Sequence, residues 1–71
     1  MFFRYKVEFS FIPTTGGNRA RTMEIYYAPD CQQAVYMARA DWGHLEEMRV
    51  ERVWKENHGS WMAVNAWRSA L

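Results

Sequence analysis

A chain of 71 residues with a formal net charge of +1, of which 49% are hydrophobic and 17% aromatic, has the composition of one small folded domain. This composition argues against a disordered chain, and the nearly balanced charge argues against a protein that mainly coats nucleic acid or an anionic membrane. The single cysteine excludes an internal disulfide, and neither a membrane span nor a signal peptide is evident. We therefore expect one soluble, cytoplasmic domain over residues 1–71.

The first part of the chain predicts a β-hairpin. Residues 3–11 alternate between apolar and polar side chains, which is the period-2 pattern of a half-buried strand. The segment PTTGGN at 13–18 supplies a chain reversal, and the alternation resumes in RARTMEIYY at 19–27. The side chains expected to face the core from this second strand are those of Met23, Ile25 and Tyr27.

From Asp30 the period of the pattern changes to that of a helix. Asp30 is a favourable N-cap residue, and Gln33 completes a capping-box pattern. One apolar stripe follows, made of Cys31, Ala34, Val35, Ala38 and Trp42. Gly43 is a natural end, so the sequence predicts a helix over 31–42 that lies close to a sheet through its alanines.

The last part of the chain predicts a second hairpin. The strand MRVERVWKEN at 48–57 leads into Asn-His-Gly, which fits a three-residue hairpin loop, and a further strand begins at Ser60. A helix that begins at Ser60 is the alternative for this segment. The preferred fold is α+β: a four-stranded antiparallel sheet with one helix on one face, in the order ββαββ.

The three-residue loop fixes which side chains face away from the helix. It sets Trp54 opposite Met62 and Arg52 opposite Val64, and it leaves the other face rich in aromatic and cationic residues. The residues expected there are Arg4, Lys6, Thr22, Tyr26, Arg49, Val53, Lys55, Trp61 and Trp67. Because Trp, Tyr and Arg are enriched in interface hot spots, this face predicts a binding surface for a protein partner or a second copy of the chain. The alternatives are that the C-terminal residues fold over this face, or that Trp61 and Trp67 complete the core.

Arg52 interrupts the alternation of its strand. Met48, Val50 and Trp54 define an apolar side, and Arg52 occupies a position on that side. A buried guanidinium without a partner would be costly. Either its side chain extends to solvent from a sheet edge, or a β-bulge between Val50 and Val53 turns it outward.

Neither catalysis nor a metal or cofactor finds support in the sequence. His44 and His58 have no further ligands at metal-binding spacing, and Cys31 lies on the apolar stripe of the helix. The carboxylates near the helix end have no nucleophile or base within reach by spacing. We expect a non-enzymatic protein.

Binding of single-stranded nucleic acid is the main rival function. Aromatic residues could stack bases on a sheet surface, and the candidates are Tyr5, Tyr26, Trp54 and Trp61. Four glutamates are interleaved with the nearby cations and would repel phosphates: Glu8, Glu24, Glu51 and Glu56.

The order of the elements, the strand end IYYA, the capped alanine-bearing helix ending in Trp, and the segment RVERVW resemble small RNA-polymerase inhibitors of T-odd podophages. The resemblance covers roughly residues 5–54. In that family arginines of the last strand dock on the jaw region of the bacterial polymerase β′ subunit. Arg52 matches the first of these arginines, and Trp54 stands at the position of the second.

Phage anti-CRISPR proteins include similar ββαβ miniproteins, which block a host nucleoprotein complex by surface binding. The two resemblances together imply an inhibitor that acts in the host-cell cytoplasm by occupying a surface of a host complex. The residues predicted to bind the partner are Tyr26, Arg49, Arg52, Trp54, Lys55, Trp61 and Trp67. A homodimer is the remaining possibility for these residues.

Overall fold

The computed structural model describes residues 1–70 and confirms the α+β fold. All four strands pair antiparallel, in the spatial order β2-β1-β3-β4. The elements are β1 (Phe3–Phe11), β2 (Ala20–Ala28), α1 (Cys31–Trp42), β3 (Arg49–Asn57), β4 (Ser60–Val64) and a 3₁₀ helix (Ala66–Ala70). No helix within residues 1–70 has the length and apolarity needed to cross a membrane.

Helix α1 begins and ends where its sequence pattern predicts. The side chain of Asp30 accepts a hydrogen bond from the Gln33 amide at 2.8 Å, which satisfies one of the free donors of the first turn. Ala34 and Ala38 are fully buried, so the helix backbone lies close to the sheet. At Gly43 a Cβ would come within 2.4 Å of the Arg39 carbonyl oxygen, which explains the need for glycine at the helix end.

The prediction of the core side of β2 was wrong. Tyr26 and Ala28 are buried beneath α1, whereas the predicted core residues of this strand are exposed: Met23, Ile25 and Tyr27. The hairpin loop at 12–19 has an even number of residues, so odd-numbered residues of β1 pair with even-numbered residues of β2, as Tyr5 pairs with Tyr26. Paired residues share a face of the sheet, and the core side of β1 therefore dictates the core side of β2.

Tyr26 connects strand β2 to the end of α1 through side-chain hydrogen bonds. Its hydroxyl donates a hydrogen bond to the Asp41 carboxylate at 3.1 Å and accepts one from the indole N–H of Trp42 at 3.0 Å. Burial and the bond to Asp41 raise the pKa of Tyr26 to about 12. The prediction that Tyr26 lies on the uncovered face was wrong, because its polar partners are at the end of α1.

A β-bulge in β3 explains the interrupted alternation. Val7 pairs with Val53 and Phe9 pairs with Val50, so two positions on β1 correspond to three on β3. Glu51 is the extra residue at this register shift. Arg52 pairs with Glu8, and its side chain therefore faces away from the helix. The bulge alternative is thus confirmed, and the edge alternative was wrong because β3 is an inner strand.

The second hairpin has a shorter loop than predicted. His58 and Gly59 form a two-residue turn with positive φ angles of 51° and 81°, and Asn57 pairs with Ser60. Trp54 therefore pairs with Ala63 instead of Met62. Because the bulge precedes Val53, Trp54 also pairs with Lys6 on β1 and faces away from the helix, not toward it as predicted. The predicted strand from Ser60 is confirmed, and the alternative helix at that position was wrong.

The bulge and the pairing of β3 with β1 move two predicted surface residues to the helix side. Val53 is buried opposite Val7, and Lys55 pairs with Tyr5 on that side, where its ammonium lies 3.7 Å from the centroid of the Phe3 ring. A positively charged nitrogen over an aromatic ring is a stabilising cation–π contact. Lys55 is thereby engaged within the domain, and its predicted place on the opposite face was wrong.

Trp67 belongs to the core. The 3₁₀ helix after β4 carries its side chain toward the helix side of the sheet, where it is 3% exposed, and its indole N–H donates to the Val64 carbonyl at 3.0 Å. The expectation that Trp67 lies on the uncovered face was wrong, whereas the alternative that it completes the core is confirmed.

Candidate interaction surface

The side of the sheet opposite α1, here called the open face, has no helix or strand of residues 1–70 packed against it. Its side chains come from alternate residues of the four strands and, at the bulge, from two successive residues of β3. They are Arg4, Lys6, Glu8, Ser10, Arg21, Met23, Ile25, Tyr27, Arg49, Glu51, Arg52, Trp54, Glu56, Trp61 and Ala63. The open face is therefore the surface on which predicted site residues must be located.

Two tryptophans and a lysine form a contiguous cluster on this face. The ammonium of Lys6 lies 5.2 Å from the centroid of the Trp54 ring and 4.7 Å from that of Trp61. The Arg4 guanidinium is 5.7 Å from the Trp61 ring and also pairs with Glu56 at 2.8 Å. Cation–π contacts of this kind restrict the rotamers of both indoles before any partner binds.

The other end of the open face is an arginine cluster around two carboxylates. Glu8 Oε1 is buried without a hydrogen-bond donor, and it lies 3.5 Å from Arg52 Nε and 3.9 Å from Arg21 Nη1. At the bulge, the buried Ser10 hydroxyl donates to Glu51 and accepts from Arg19. The hydrogen bond from Ser10 is the main reason why the pKa of Glu51 is lowered.

Positive charge is concentrated on the open face. Arg49 pairs with Ser10 at its end, and six of the nine cationic side chains of the chain lie on or beside it, against four of the eight carboxylates. The cations are Arg4, Lys6, Arg19, Arg21, Arg49 and Arg52, and the carboxylates are Glu8, Glu47, Glu51 and Glu56. The overall charge of +1 thus conceals a positive face and a negative remainder.

An apolar strip follows the β2 margin of the open face. It consists of Phe2, Met23, Ile25 and Tyr27, whose side chains are 55%, 52%, 49% and 61% exposed. Phe2 and Tyr27 stack with their ring centroids 5.8 Å apart. Sequence reasoning missed this strip because it assigned these β2 residues to the core, and the even length of the first hairpin loop was the signal that could have corrected it.

The structure brings four of the seven predicted partner-binding residues together on the open face: Arg49, Arg52, Trp54 and Trp61. Tyr26 and Trp67 are core residues, and Lys55 lies on the helix side. Lys6, which connects the two indoles, was predicted on this face but was not assigned a binding role. Its position is fixed by the pairing of Lys6 with Trp54 across β1 and β3.

Among residues 1–70 no group of three or more His, Cys, Asp or Glu side chains is arranged to hold a metal ion. Cys31 is buried in the first turn of α1 as part of the core, as its place on the apolar stripe predicts. Comparisons with protein-family models, curated proteins and solved structures each found no match to this chain.

Proposed function

We propose that this protein is a non-enzymatic binding protein that docks its open face on a protein partner, and that it inhibits a host complex by occupying part of that complex's surface. The observation that carries the proposal is the cluster of Trp54, Lys6 and Trp61 on a sheet face that no element within residues 1–70 covers. Half-exposed indoles beside cations are the residue types that dominate binding energy in protein interfaces.

The rigidity of this surface supports a docking role. The indoles extend from inner strand β3 and its neighbour β4, and Lys6 on β1 fixes both rings from one side. A partner would therefore lose little side-chain entropy on binding, which lowers the cost of association. A typical interface of about 800 Å² per partner would cover about a sixth of the 4877 Å² accessible surface, which fits within one sheet face.

The charge of the open face defines the chemistry of the partner. Glu8, Glu51 and Glu56 are each engaged by an arginine or a hydroxyl within the domain. Because the cations outnumber these carboxylates, the open face keeps a net positive charge. An acidic protein surface with an apolar centre would complement this arrangement. Charge steering of this kind also accelerates association at low ionic strength.

The resemblance to podophage polymerase inhibitors suggests which host complex to test first. Arg52, which matches the first docking arginine of that family, and Trp54, which stands where the family has the second arginine, both extend from the open face. Bacterial RNA polymerase is therefore the first candidate partner, and a CRISPR nucleoprotein complex is the second. Both are large assemblies, and obstructing a surface of either requires no chemistry.

Single-stranded nucleic acid is a second candidate ligand, and the excess of cations on the open face favours it. Base stacking would require free indole faces. Lys6 lies above the rings of both Trp54 and Trp61, so a base could stack there only after displacing the ammonium. This geometry ranks a protein partner above a nucleic acid.

The test measures binding of the purified protein to bacterial RNA polymerase and to a CRISPR effector complex by biolayer interferometry. The Arg52→Ala/Trp61→Ala double variant should weaken binding at least about tenfold. The matched control is Tyr36→Ala/Arg39→Ala, which removes an exposed aromatic residue and an exposed arginine from α1 and should bind normally. Circular dichroism establishes that both double variants are folded.

Equal binding by the two double variants would contradict the assignment of the open face. The nucleic-acid candidate is tested separately by fluorescence anisotropy with labelled single-stranded oligonucleotides at two salt concentrations. Nucleic acid would become the preferred ligand if three results were obtained together. Oligonucleotide affinity would fall steeply with salt, it would disappear in the Arg52→Ala/Trp61→Ala variant, and neither complex would be bound.

A further inference from the structure

Strand β2 is an unprotected edge of the sheet. It pairs with β1 on one side only, over nine residues without a proline and without a register shift. Its other side therefore presents a straight row of backbone donors and acceptors that no strand of residues 1–70 satisfies. Edge strands are normally shortened, bulged, charged or covered, since a long and straight edge recruits another strand.

The opposite edge of the sheet differs in these respects. Strand β4 has five residues, and the chain then turns into the 3₁₀ helix that buries Trp67. The apolar strip lies beside β2 and not beside β4, and it contains four of the seven large hydrophobic residues that are exposed among residues 1–68. A contiguous exposed apolar patch of this kind indicates an interaction site.

We infer that β2 pairs antiparallel with β2 of a second copy of this chain, about a two-fold axis through Ile25. The sequence of the strand is complementary to itself around that residue. Ile25 would lie opposite Ile25 of the second copy, Met23 opposite Tyr27, and Glu24 opposite Tyr26, so that apolar side chains meet on the open face. Such a two-fold interface is the commonest form of self-association.

Charge disfavours the adjacent register centred on Glu24, whereas an axis through Tyr26 would place Met23 opposite Pro29, beyond the end of β2, and so pair fewer residues. An axis through Glu24 would place two carboxylates directly opposite each other, which is unfavourable across a strand pair. An axis through Ile25 opposes no like charges within the strand, because Arg21 then falls opposite Pro29. The net charge of +1 adds little repulsion between the copies.

The pairing has a defined consequence for the open face. Residues that pair across two antiparallel strands direct their side chains to the same side of the sheet. The two open faces would therefore lie on one side of a continuous eight-stranded sheet, and both helices would lie on the other side. The dimer doubles the cationic and aromatic surface without covering Trp54 or Trp61, which lie on the far strands. This inference goes beyond the proposed function and does not depend on what the open face binds.

The test is the oligomeric state of the wild-type protein by sedimentation equilibrium across a dilution series. We expect a dimer that dissociates reversibly. Ile25→Lys and Ile25→Glu should each raise the dimer dissociation constant at least about tenfold, because like charges meet at the axis. An equimolar mixture of the two variants should recover dimers, since Lys then faces Glu. The matched control is Met62→Lys on β4, where the original side chain is equally exposed.

A cysteine trap keeps the inference testable even if a charged variant does not fold. Ile25→Cys should form an intermolecular disulfide under mild oxidation much faster than Met62→Cys, because strand pairing at the axis brings the two Cα atoms within disulfide range. A wild-type protein that is monomeric at every concentration would overturn the inference. A dimer that persists in Ile25→Lys and is dissociated by Trp61→Ala would also overturn it, by placing the contact on the aromatic cluster.

Discussion

Val50 and Val53 contact the same core from positions three apart along β3, although a regular strand would direct them to opposite faces. The bulge at Glu51 reconciles the two positions with Phe9 and Val7, which are two apart on β1. Because the bulge accommodates one extra residue, both valines remain in the core and Arg52 lies on the open face. A single irregularity of the backbone thus creates part of the candidate interaction surface.

Deleting Glu51 should leave the fold intact. The deletion restores strict alternation between Val50 and Val53, so the core is retained, while the buried Ser10 hydroxyl loses its acceptor. We expect the free energy of unfolding to fall by about 1–3 kcal/mol in urea denaturation followed by circular dichroism.

Deleting Lys55 is the matched control for that prediction. It would reverse β4 relative to the core, moving Val64 out and Trp61 in, and we expect a much larger loss of stability. Equal losses from the two deletions would mean that the bulge does not set the register as described.

Trp67→Ala should destabilise the domain far more than Trp61→Ala. Trp67 is buried in the core, and truncating such a residue typically costs about 3–5 kcal/mol, which is a large share of the stability of a small domain. Trp61 is half-exposed on the open face, and its truncation should cost less than about 1 kcal/mol. Urea denaturation of both variants gives the comparison, and similar midpoints would contradict the assignment of the two indoles to different environments.

The raised pKa of Tyr26 predicts a loss of stability at alkaline pH. Because the folded-state pKa of about 12 lies above the ordinary value of 10.0, the neutral phenol stabilises the fold fully below pH 10. This contribution is lost as the pH rises from 10 toward 12, to an extent of roughly 2 kcal/mol. Tyr26→Phe should flatten the alkaline limb of a stability-versus-pH curve measured in urea, and an unchanged limb would show that another group titrates.

The lowered pKa of Glu51 predicts the opposite behaviour in acid. Its carboxylate, held chiefly by the hydrogen bond from Ser10, stabilises the fold above the ordinary pKa of 4.5. The contribution disappears as the pH falls through the lower folded-state value. Ser10→Ala should therefore lose less stability in acid than the wild type, which urea titrations at several pH values would detect. An equally steep loss of stability in the variant would mean that other carboxylates cause it.

The correct predictions depend on residues that are near neighbours in the sequence, whereas the wrong ones depend on how distant strands pair. The helix from Cys31 to Trp42 was predicted from its cap and its stripe, because both depend on residues within a few positions of each other. The faces of β2 and of residues 53–55 in β3 were predicted wrongly, since the first is set by the parity of a loop and the second by a bulge against a distant strand. The bulge at Glu51 exchanged the faces of Trp54 and Lys55, and the shorter His58–Gly59 turn offset that change in β4, so Trp61 faces away from the helix as predicted.

The sequence by itself determined the number of strands, the helix, the fold class and an excess of indoles and arginines that the core does not need. Local periodicity and capping are encoded between near neighbours and can be read along the chain. Only the tertiary structure decided which indole is core and which is surface, because the buried face of a strand is chosen by the partner strand and by the helix above it. Trp67 and Trp61 illustrate that choice, because Trp67 is buried on the helix side of the sheet and Trp61 is half-exposed on the open face.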